Sequence, residues 1–283
     1  MIFNPAARSE RARTAWRRIA RLPHCTIRAT SAVGDARSVA QAAVAEGFRT
    51  IVAAGGDGTV NEVVNGIAGA DVALGILPVG TMNVFATELA LPGDLAEAWA
   101  VIQAGRTRRV DLLRANQQYF VQLAGVGLDA QVVQATSWNF KKNFGPLSYL
   151  ISAAQIAANR PPRLYVEAEG QIREGSFVLI GNGRYYGGPL AFFKEARIDD
   201  GRFDVLIFKN LAYLDIARYV TNVFIGKHID LPDVEYFQTR KAVVRSNEDV
   251  PVEVDGELAG RLPVTFRISP RKLRVIVPVG RDR

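Results

Sequence analysis

Two short segments combine residue types and spacing that suit the binding of a phosphate-like anion. The first is Gly55-Gly56-Asp57-Gly58-Thr59, with an apolar run before it and a helical pattern after it. Three glycines in five positions let backbone N–H groups approach an anion closely, and a helix start adds unpaired N–H groups and the positive end of its dipole. Thr59 is suited to capping that helix. Asp57 is the informative residue: an acid beside an anion site is welcome only when a metal ion lies between them. A ligand-free turn accounts for the glycines but leaves the aspartate unexplained. The second segment, Leu77-Pro78-Val79-Gly80-Thr81-Met82-Asn83, has the same strand, glycine turn and helix sequence. Turns at the ends of successive strands face one crevice in an open α/β sheet, although a tight turn with an N-cap also explains this segment.

Other chemistries are excluded by composition. A single cysteine, Cys25, permits neither an internal disulfide nor a thiolate zinc site. His24 and His228 are the only histidines, so a three-histidine metal site cannot form. Neither has a motif around it, and both read as structural or surface residues. The phosphate-loop lysine motif and the protein-kinase motif set are both missing. Asp255-Gly256 is by itself a hairpin signal, which makes Glu257 an exposed strand residue. Asp199-Asp200-Gly201 reads as a solvated turn, and Asp111 as a residue at a strand edge.

The elements around these turns fall into two textures. In the first, Met1–Asn4, Cys25–Ala29, Thr50–Ala54 and Val72–Leu77 read as strands, alternating with helical patterns. Ala12, Ala15, Trp16, Ile19 and Leu22 mark one helix. A second starts after Gly34-Asp35. Val60, Val63, Val64 and Ile67 mark a third, and another lies near Asn83–Leu89. An uninterrupted apolar run such as Thr50–Ala54 suits a parallel strand buried on both faces. This alternation predicts an α/β layered domain. After about Asp111, strands dominate: Tyr119–Ala124, Leu164–Ala168, Phe177–Gly181, Phe203–Phe208, Val252–Val254, Val264–Ile268 and Leu273–Val277. Helical stretches near Leu147–Ala158 and Ala212–Phe224 interrupt them, and the whole reads as a β-rich sandwich.

The chain has 283 residues, 48% hydrophobic and 22% charged, with a net charge of +7 spread along its length. Such a charge suits nucleic acid, an acidic membrane or an anionic substrate and selects none of them. No apolar run approaches the roughly 20 residues of a spanning helix. The arginine-rich opening (Arg8, Arg11, Arg13, Arg17, Arg18, Arg21) has no secretory pattern and reads as the solvated face of an amphipathic helix rather than a presequence.

Taken in order, Gly55–Thr59, Asn61-Glu62, Asn65-Gly66 and Leu77–Asn83 resemble the catalytic domain of diacylglycerol kinases, sphingosine kinases and bacterial soluble lipid kinases. Asn4-Pro5, Thr30 with Gly34-Asp35-Ala36, Gly125–Ala130, Gly181-Asn182-Gly183, Tyr186-Gly187-Gly188, Asp199-Asp200-Gly201 and Asp255-Gly256-Glu257 follow in the family's order. The resemblance spans essentially the whole chain. It implies a three-layer α/β nucleotide-binding domain of the NAD-kinase/diacylglycerol-kinase type over residues 1–111. A β-sandwich lipid-acceptor domain would follow over 112–269, with a strand in 270–283 returning to the first. It implies ATP and Mg2+ as cofactors, with ATP phosphates on Gly55, Gly56, Asp57, Gly58, Thr59, Val60 and Asn61, completed by Thr30 and Thr81. Glu257 would accept the proton of the lipid hydroxyl, and Asp57 would be catalytic. Asp57 and Asp111 match the family's acidic, magnesium-linked network. Asp200 with the carbonyls of Arg197 and Arg202 would hold a structural magnesium. Val84 departs from the aspartate usual in bacterial diacylglycerol kinases, and Lys194 from a frequent proline.

The expected activity is ATP-dependent phosphorylation of a hydroxyl of diacylglycerol or a related lipid. The alternatives are an NAD-kinase-like enzyme with a soluble acceptor and a catalytically silent nucleotide- or lipid-binding protein. The expected setting is cytoplasmic, peripheral to an anionic membrane, without nucleic acid and compatible with a homodimer. Lys141 and Lys142, among Trp138, Phe140 and Phe144, suit such a membrane surface.

Overall fold

The structure, a computed structural model, describes residues 1–5, 10–127 and 161–280, with side chains in the first helix described from residue 15 onward. The segment holding Trp138, Phe140, Lys141, Lys142 and Phe144, the stretch Leu147–Ala158, and the Leu128–Ala130 end of one glycine motif lie outside the described residues. The chain divides into two compact units, Met1–Leu112 with Pro270–Arg283, and Leu113–Ser269. No helix among the described residues is long and apolar enough to cross a membrane.

The first unit is built on a sheet with strand order β2-β1-β3-β4-β20-β5. The strands are β1 (Ile2–Phe3), β2 (Arg28–Ala29), β3 (Thr50–Gly55), β4 (Ala73–Pro78), β5 (Thr107–Val110) and the C-terminal β20 (Leu273–Ile276). Neighbours run parallel except β5, which is antiparallel to β20. Ile51–Gly55 and Ala73–Leu77 are buried throughout, as parallel strands covered on both faces require. On one face, Ala15 and Ile19 of α1 (Glu10–Ile19) and Ala98, Trp99 and Ile102 of α5 (Leu95–Ala104) join Phe3, Val52 and Leu77 in one core. Elsewhere α2 (Asp35–Ala45) packs on α3 (Asp57–Ile67), and the contact is close because Gly66 has no side chain. A Cβ there would lie 2.5 Å from the Arg37 carbonyl oxygen. The expected strand Cys25–Ala29 is shorter than its sequence suggests. Cys25 and Ile27 pack on the core as side chains, but only Arg28 and Ala29 pair with β1.

The second unit is a pair of antiparallel sheets. One has the order β10-β9-β16-β19-β6-β7 and the other β15-β14-β11-β8-β17-β18. The first comprises β6 (Leu113–Ala115), β7 (Gln118–Phe120), β9 (Leu164–Ala168), β10 (Gln171–Gly175), β16 (Lys241–Arg245) and β19 (Val264–Ile268). The second comprises β8 (Leu123–Val126), β11 (Phe177–Gly181), β14 (Phe203–Phe208), β15 (Val234–Thr239), β17 (Pro251–Val254) and β18 (Glu257–Arg261). A small hairpin, β12 (Tyr185–Tyr186) with β13 (Leu190–Ala191), stands apart. Phe120, Phe266, Val126, Val166, Val178, Val205 and Val244 fill the space between the sheets. The outer face of the second sheet is covered by α6 (Tyr213–Phe224), through Tyr219, and by Phe193 and Ala196. A sheet covered on both sides explains why all six residues of β14 are buried. The fold is the three-layer α/β unit plus β-sandwich that the sequence predicts.

Candidate active site

The two glycine turns of the first unit are one structure. Gly80 lies so close to the first turn that a Cβ on it would be 2.4 Å from the Gly56 Cα, and one on Gly56 would be 3.3 Å from the Gly80 Cα. The turns are also tied by the Val79 N–H, which donates to the Gly55 carbonyl at 3.1 Å. Contact of this kind leaves no room for a side chain at Gly80 and makes one tight at Gly56, which is the physical reason for glycine here. Asn83, with φ +49°, closes the second turn on itself: its Oδ1 accepts from Gly80 N–H at 3.0 Å and its Nδ2 donates to Gly80 O at 2.8 Å. Thr81 is left exposed at the tip.

The helix after the first turn begins earlier than the sequence suggests. Its first residue is Asp57 and its N-cap is Gly56, in extended geometry. Thr59 is therefore inside the first turn and does not cap it. Its Oγ1 instead accepts from Asn4 Nδ2 at 3.2 Å, which ties in the opening Asn4-Pro5 segment. The backbone N–H groups of the first helical turn have no intrahelical partner. The structure thus offers an amide cradle with glycine walls, which fits the phosphates of a nucleotide.

Asp57 crosses from the first turn to the second. Its Oδ1 accepts the Phe85 N–H at 3.3 Å, at the start of α4 (Val84–Glu88). Burial pushes this carboxyl above its ordinary value, opposed by the amides of Val84, Phe85 and Asn83. A carboxylate held against its own desolvation beside a phosphate cradle is the donor chemistry a hard divalent cation takes. Val84 is buried, so the position where the family resemblance expects an aspartate is filled by an apolar side chain.

Thr30 is buried at the end of β2, its N–H donating to Phe3 O at 2.9 Å. The turn after it is set by a residue whose role the sequence does not reveal. Glu62, on α3, accepts the Gly34 N–H at 2.8 Å and the Ala36 N–H at 2.9 Å, one on each oxygen. It caps α2 from another helix, because the α2 N-cap, Gly34, has no side chain to do so. Asp35 accepts from Ser31 N at 2.8 Å and Ala32 N at 2.9 Å, and the Ser31 hydroxyl and these amides hold its carboxyl low. Asp111 is not at a solvated edge. It is 1% exposed, with Lys272 Nζ at 3.0 Å.

In the second unit, Asp255 and Glu257 flank a turn with left-handed residues at Asp255 (φ +49°) and Gly256 (φ +86°). Asp255 is buried, and its carboxylate accepts three backbone N–H groups, from Val121 at 3.0 Å, Gln122 at 2.9 Å and Leu123 at 3.1 Å. Those bonds split the expected strand Tyr119–Ala124 into β7 and β8. Glu253 accepts the Gly256 N–H at 2.8 Å and so closes the hairpin from inside. Glu257 stands exposed at the start of β18.

The expected structural-metal turn is closed on itself. Asp200 Oδ1 accepts the Arg202 N–H at 2.9 Å, and the Asp200 N–H reaches the Arg197 carbonyl at 3.5 Å. One carboxylate with backbone carbonyls is a donor set that fits a hard cation completed by water. Among the described residues no three His, Cys, Asp or Glu side chains converge as a metal cluster. Asp204, which the sequence does not single out, is buried nearby on β14. Burial pushes its carboxyl up to about 6, against hydrogen bonds from Tyr236 and Gln238.

The chain matches two family models end to end. One is the diacylglycerol kinase catalytic domain, over residues 1–115, and the other is the YegS C-terminal NAD kinase beta sandwich-like domain, over residues 122–277. A protein named diacylglycerol kinase in Staphylococcus carnosus (strain TM300) is 33% identical over 255 residues, spanning 88% of this chain and 83% of that one. The chain belongs to the diacylglycerol kinase family. Its namesake in Staphylococcus aureus (strain JH9) is also 33% identical, over 88% of this chain and 81% of the relative. A solved structure from Bacillus anthracis str. Sterne, described provisionally as a diacylglycerol kinase, superposes with a TM-score of 0.84 at 27% identity. It covers 98% of this chain and 94% of that one. As a member of this family the protein is a lipid kinase.

Proposed function

We propose that this kinase transfers the terminal phosphoryl group of ATP to a hydroxyl of diacylglycerol or a related lipid. The observation that carries the reading is the fusion of the two glycine turns through Gly56, Gly80 and Asp57, which builds an amide cradle with one acid at its edge. The acceptor follows from the relatives' name, diacylglycerol kinase.

Phosphoryl transfer needs positioning and charge neutralisation more than covalent chemistry. The segment from Gly55 to Asn61 holds the phosphates, through the unpaired amides of its turn and helix start, and Thr30 and Thr81 complete the nucleotide site. Magnesium, when bound, neutralises phosphate charge, with Asp57 as its acid and Asp111 in the wider network. A separate structural ion would be held by Asp200 with the carbonyls of Arg197 and Arg202. Glu257 is assigned as general base. It takes the proton of the lipid hydroxyl as that oxygen bonds to the γ-phosphorus, and the bond to the β–γ bridging oxygen breaks to release ADP. Asp255 is the next candidate, disfavoured because its oxygens already accept three backbone amides.

The test is a transfer assay with γ-labelled ATP and magnesium, using total lipid extract, dioctanoylglycerol and NAD as acceptors. Label is expected in the lipid phase. Label on NAD alone would establish a soluble-acceptor kinase. ATP binding without transfer to any acceptor would establish a silent binding protein.

A further inference from the structure

Helix α6 has two apolar faces and only one of them is covered. Ile216, Tyr219 and Val223 are buried, Tyr219 against Leu206 and Phe208 of the sheet. Leu214, Ala217, Thr221 and Phe224 form a stripe along the outer side, continued at its ends by Tyr213 and Ile225. None of these residues is charged. Leu214 is 78% exposed, Phe224 67%, Tyr213 65% and Ile225 62%. A helix covering a soluble domain normally turns charged or polar side chains outward.

The helix cannot roll to hide this stripe. Asp215 accepts the Ala212 N–H at 3.2 Å and pairs with Arg218 at 3.1 Å. Arg218 also pairs with Asp233, which accepts from Asn210 at 3.0 Å and from the Tyr219 hydroxyl at 2.6 Å. Asp215 and Asp233 thus share the single Arg218 guanidinium, which offsets one of the two carboxylate charges on the flank of α6. Past Phe224 and Ile225, the end of the stripe meets two exposed lysines. Lys227 follows Gly226, and the Lys194 ammonium lies where it would be 3.3 Å from a Cβ on Gly226. Asp230, exposed in the next turn, offsets part of their charge.

We infer that the outer face of α6 is the surface on which this kinase rests on an anionic lipid bilayer. Tyr213, Leu214, Phe224 and Ile225 enter the acyl boundary, and Lys194 and Lys227 meet the phosphate headgroups. Exposed large apolar side chains beside lysines are what an interfacial helix presents to such a surface. The inference rests on the lipid-acceptor reading in one respect: an acceptor with two acyl chains stays in the bilayer, so the enzyme must come to it.

The experiment is flotation of the full chain with vesicles of phosphatidylcholine and phosphatidylglycerol, comparing the parent with L214S/F224S/I225S and with K194E/K227E. None of the five positions belongs to the proposed phosphate and proton-transfer groups. The serine variant should lose at least about tenfold in vesicle binding. It should keep its melting temperature and its turnover on a short-chain soluble glycerolipid. The glutamate variant should lose binding to the anionic vesicles while still floating weakly with pure phosphatidylcholine. Parental binding by both variants, or a parent that binds no vesicles, would overturn the inference. So would a serine variant that turns from dimer to monomer in sedimentation with vesicle binding unchanged, since the face would then join two copies. A parent that floats but phosphorylates no lipid would support the surface and refute the acceptor reading.

Discussion

Asp57 and Asp255 hold comparable posts in the two units, yet they are built differently. Each sits in a glycine-containing turn, and each receives backbone N–H groups from a segment distant in sequence. Asp255 is buried and takes three amides at 2.9–3.1 Å, so its charge is fully occupied in holding β7, β8 and the hairpin together. Asp57 takes the Phe85 N–H at a longer 3.3 Å, and burial raises its pKa. One carboxylate is taken up in joining segments of its own unit; at the other, burial outweighs the amides of Val84, Phe85 and Asn83 and disfavours the charged form. Carboxyls perturbed in this way collect at functional sites, so the contrast is a testable mark of a functional acid against a structural one.

The sharpest way to break that contrast is Asp57→Asn. Turnover should fall by roughly 10²–10³-fold or more, the scale of losing one preorganised electrostatic group. Stability should move the other way. A carboxyl whose folded pKa is raised contributes fully below its unfolded value and loses that contribution as pH rises through the folded value. At neutral pH the parent carries this penalty and the variant does not. The variant should therefore melt higher than the parent at pH 7 in chelator, and the gain should vanish in acid below the unfolded value of about 4. A variant that is inactive and less stable at neutral pH would place Asp57 with the structural acids.

Asp255→Ala should show the opposite profile. Three buried amides lose their acceptor, which costs about 3 kcal/mol or more and lowers the melting temperature by about 6 °C or more. Asp255→Asn, with one acceptor oxygen left, should fall between the parent and the alanine variant in thermal melts. A smaller effect is expected at Glu62, which caps α2 without belonging to the phosphate cradle. Glu62→Ala should cost about 1 kcal/mol, as lost helix caps do. It should raise KM for ATP a few-fold with kcat nearly unchanged, because the turn beside Thr30 loosens. Equal losses in kcat and kcat/KM would mean Glu62 acts in the transition state instead.

These pairings mark the limit of what the sequence shows. Ile51–Ala54 and Phe203–Phe208 are legible as strands because their apolar runs are uninterrupted and both faces are in fact covered. The glycine turns are legible because their residue types are extreme. Glu62 is not: its partners at Gly34 and Ala36 are brought to it only by α2–α3 packing. Asp111 reads as a strand-edge acid because Lys272, its partner, arrives on the far end of the chain. The break at Val121 and Gln122 is invisible because Asp255, which takes their amides, lies on the other side of the sandwich sequence. β15 and β16 escape because Val234–Thr239 is only half-buried over most of its length and mixes Glu, Tyr, Phe and Gln without a clean alternation. Thr59 suits a cap by type, but the helix begins at Asp57 with Gly56 as its extended N-cap.

The division of labour is tested most directly by Glu257→Gln, with ATP affinity and single-turnover transfer to the best lipid acceptor measured on the same preparation. Glu257 is exposed, so folding should be unaffected. Unchanged ATP binding is expected, with a fall in transfer rate of roughly 10²–10⁴-fold, the usual contribution of a general base. Near-parental transfer by this variant would contradict it.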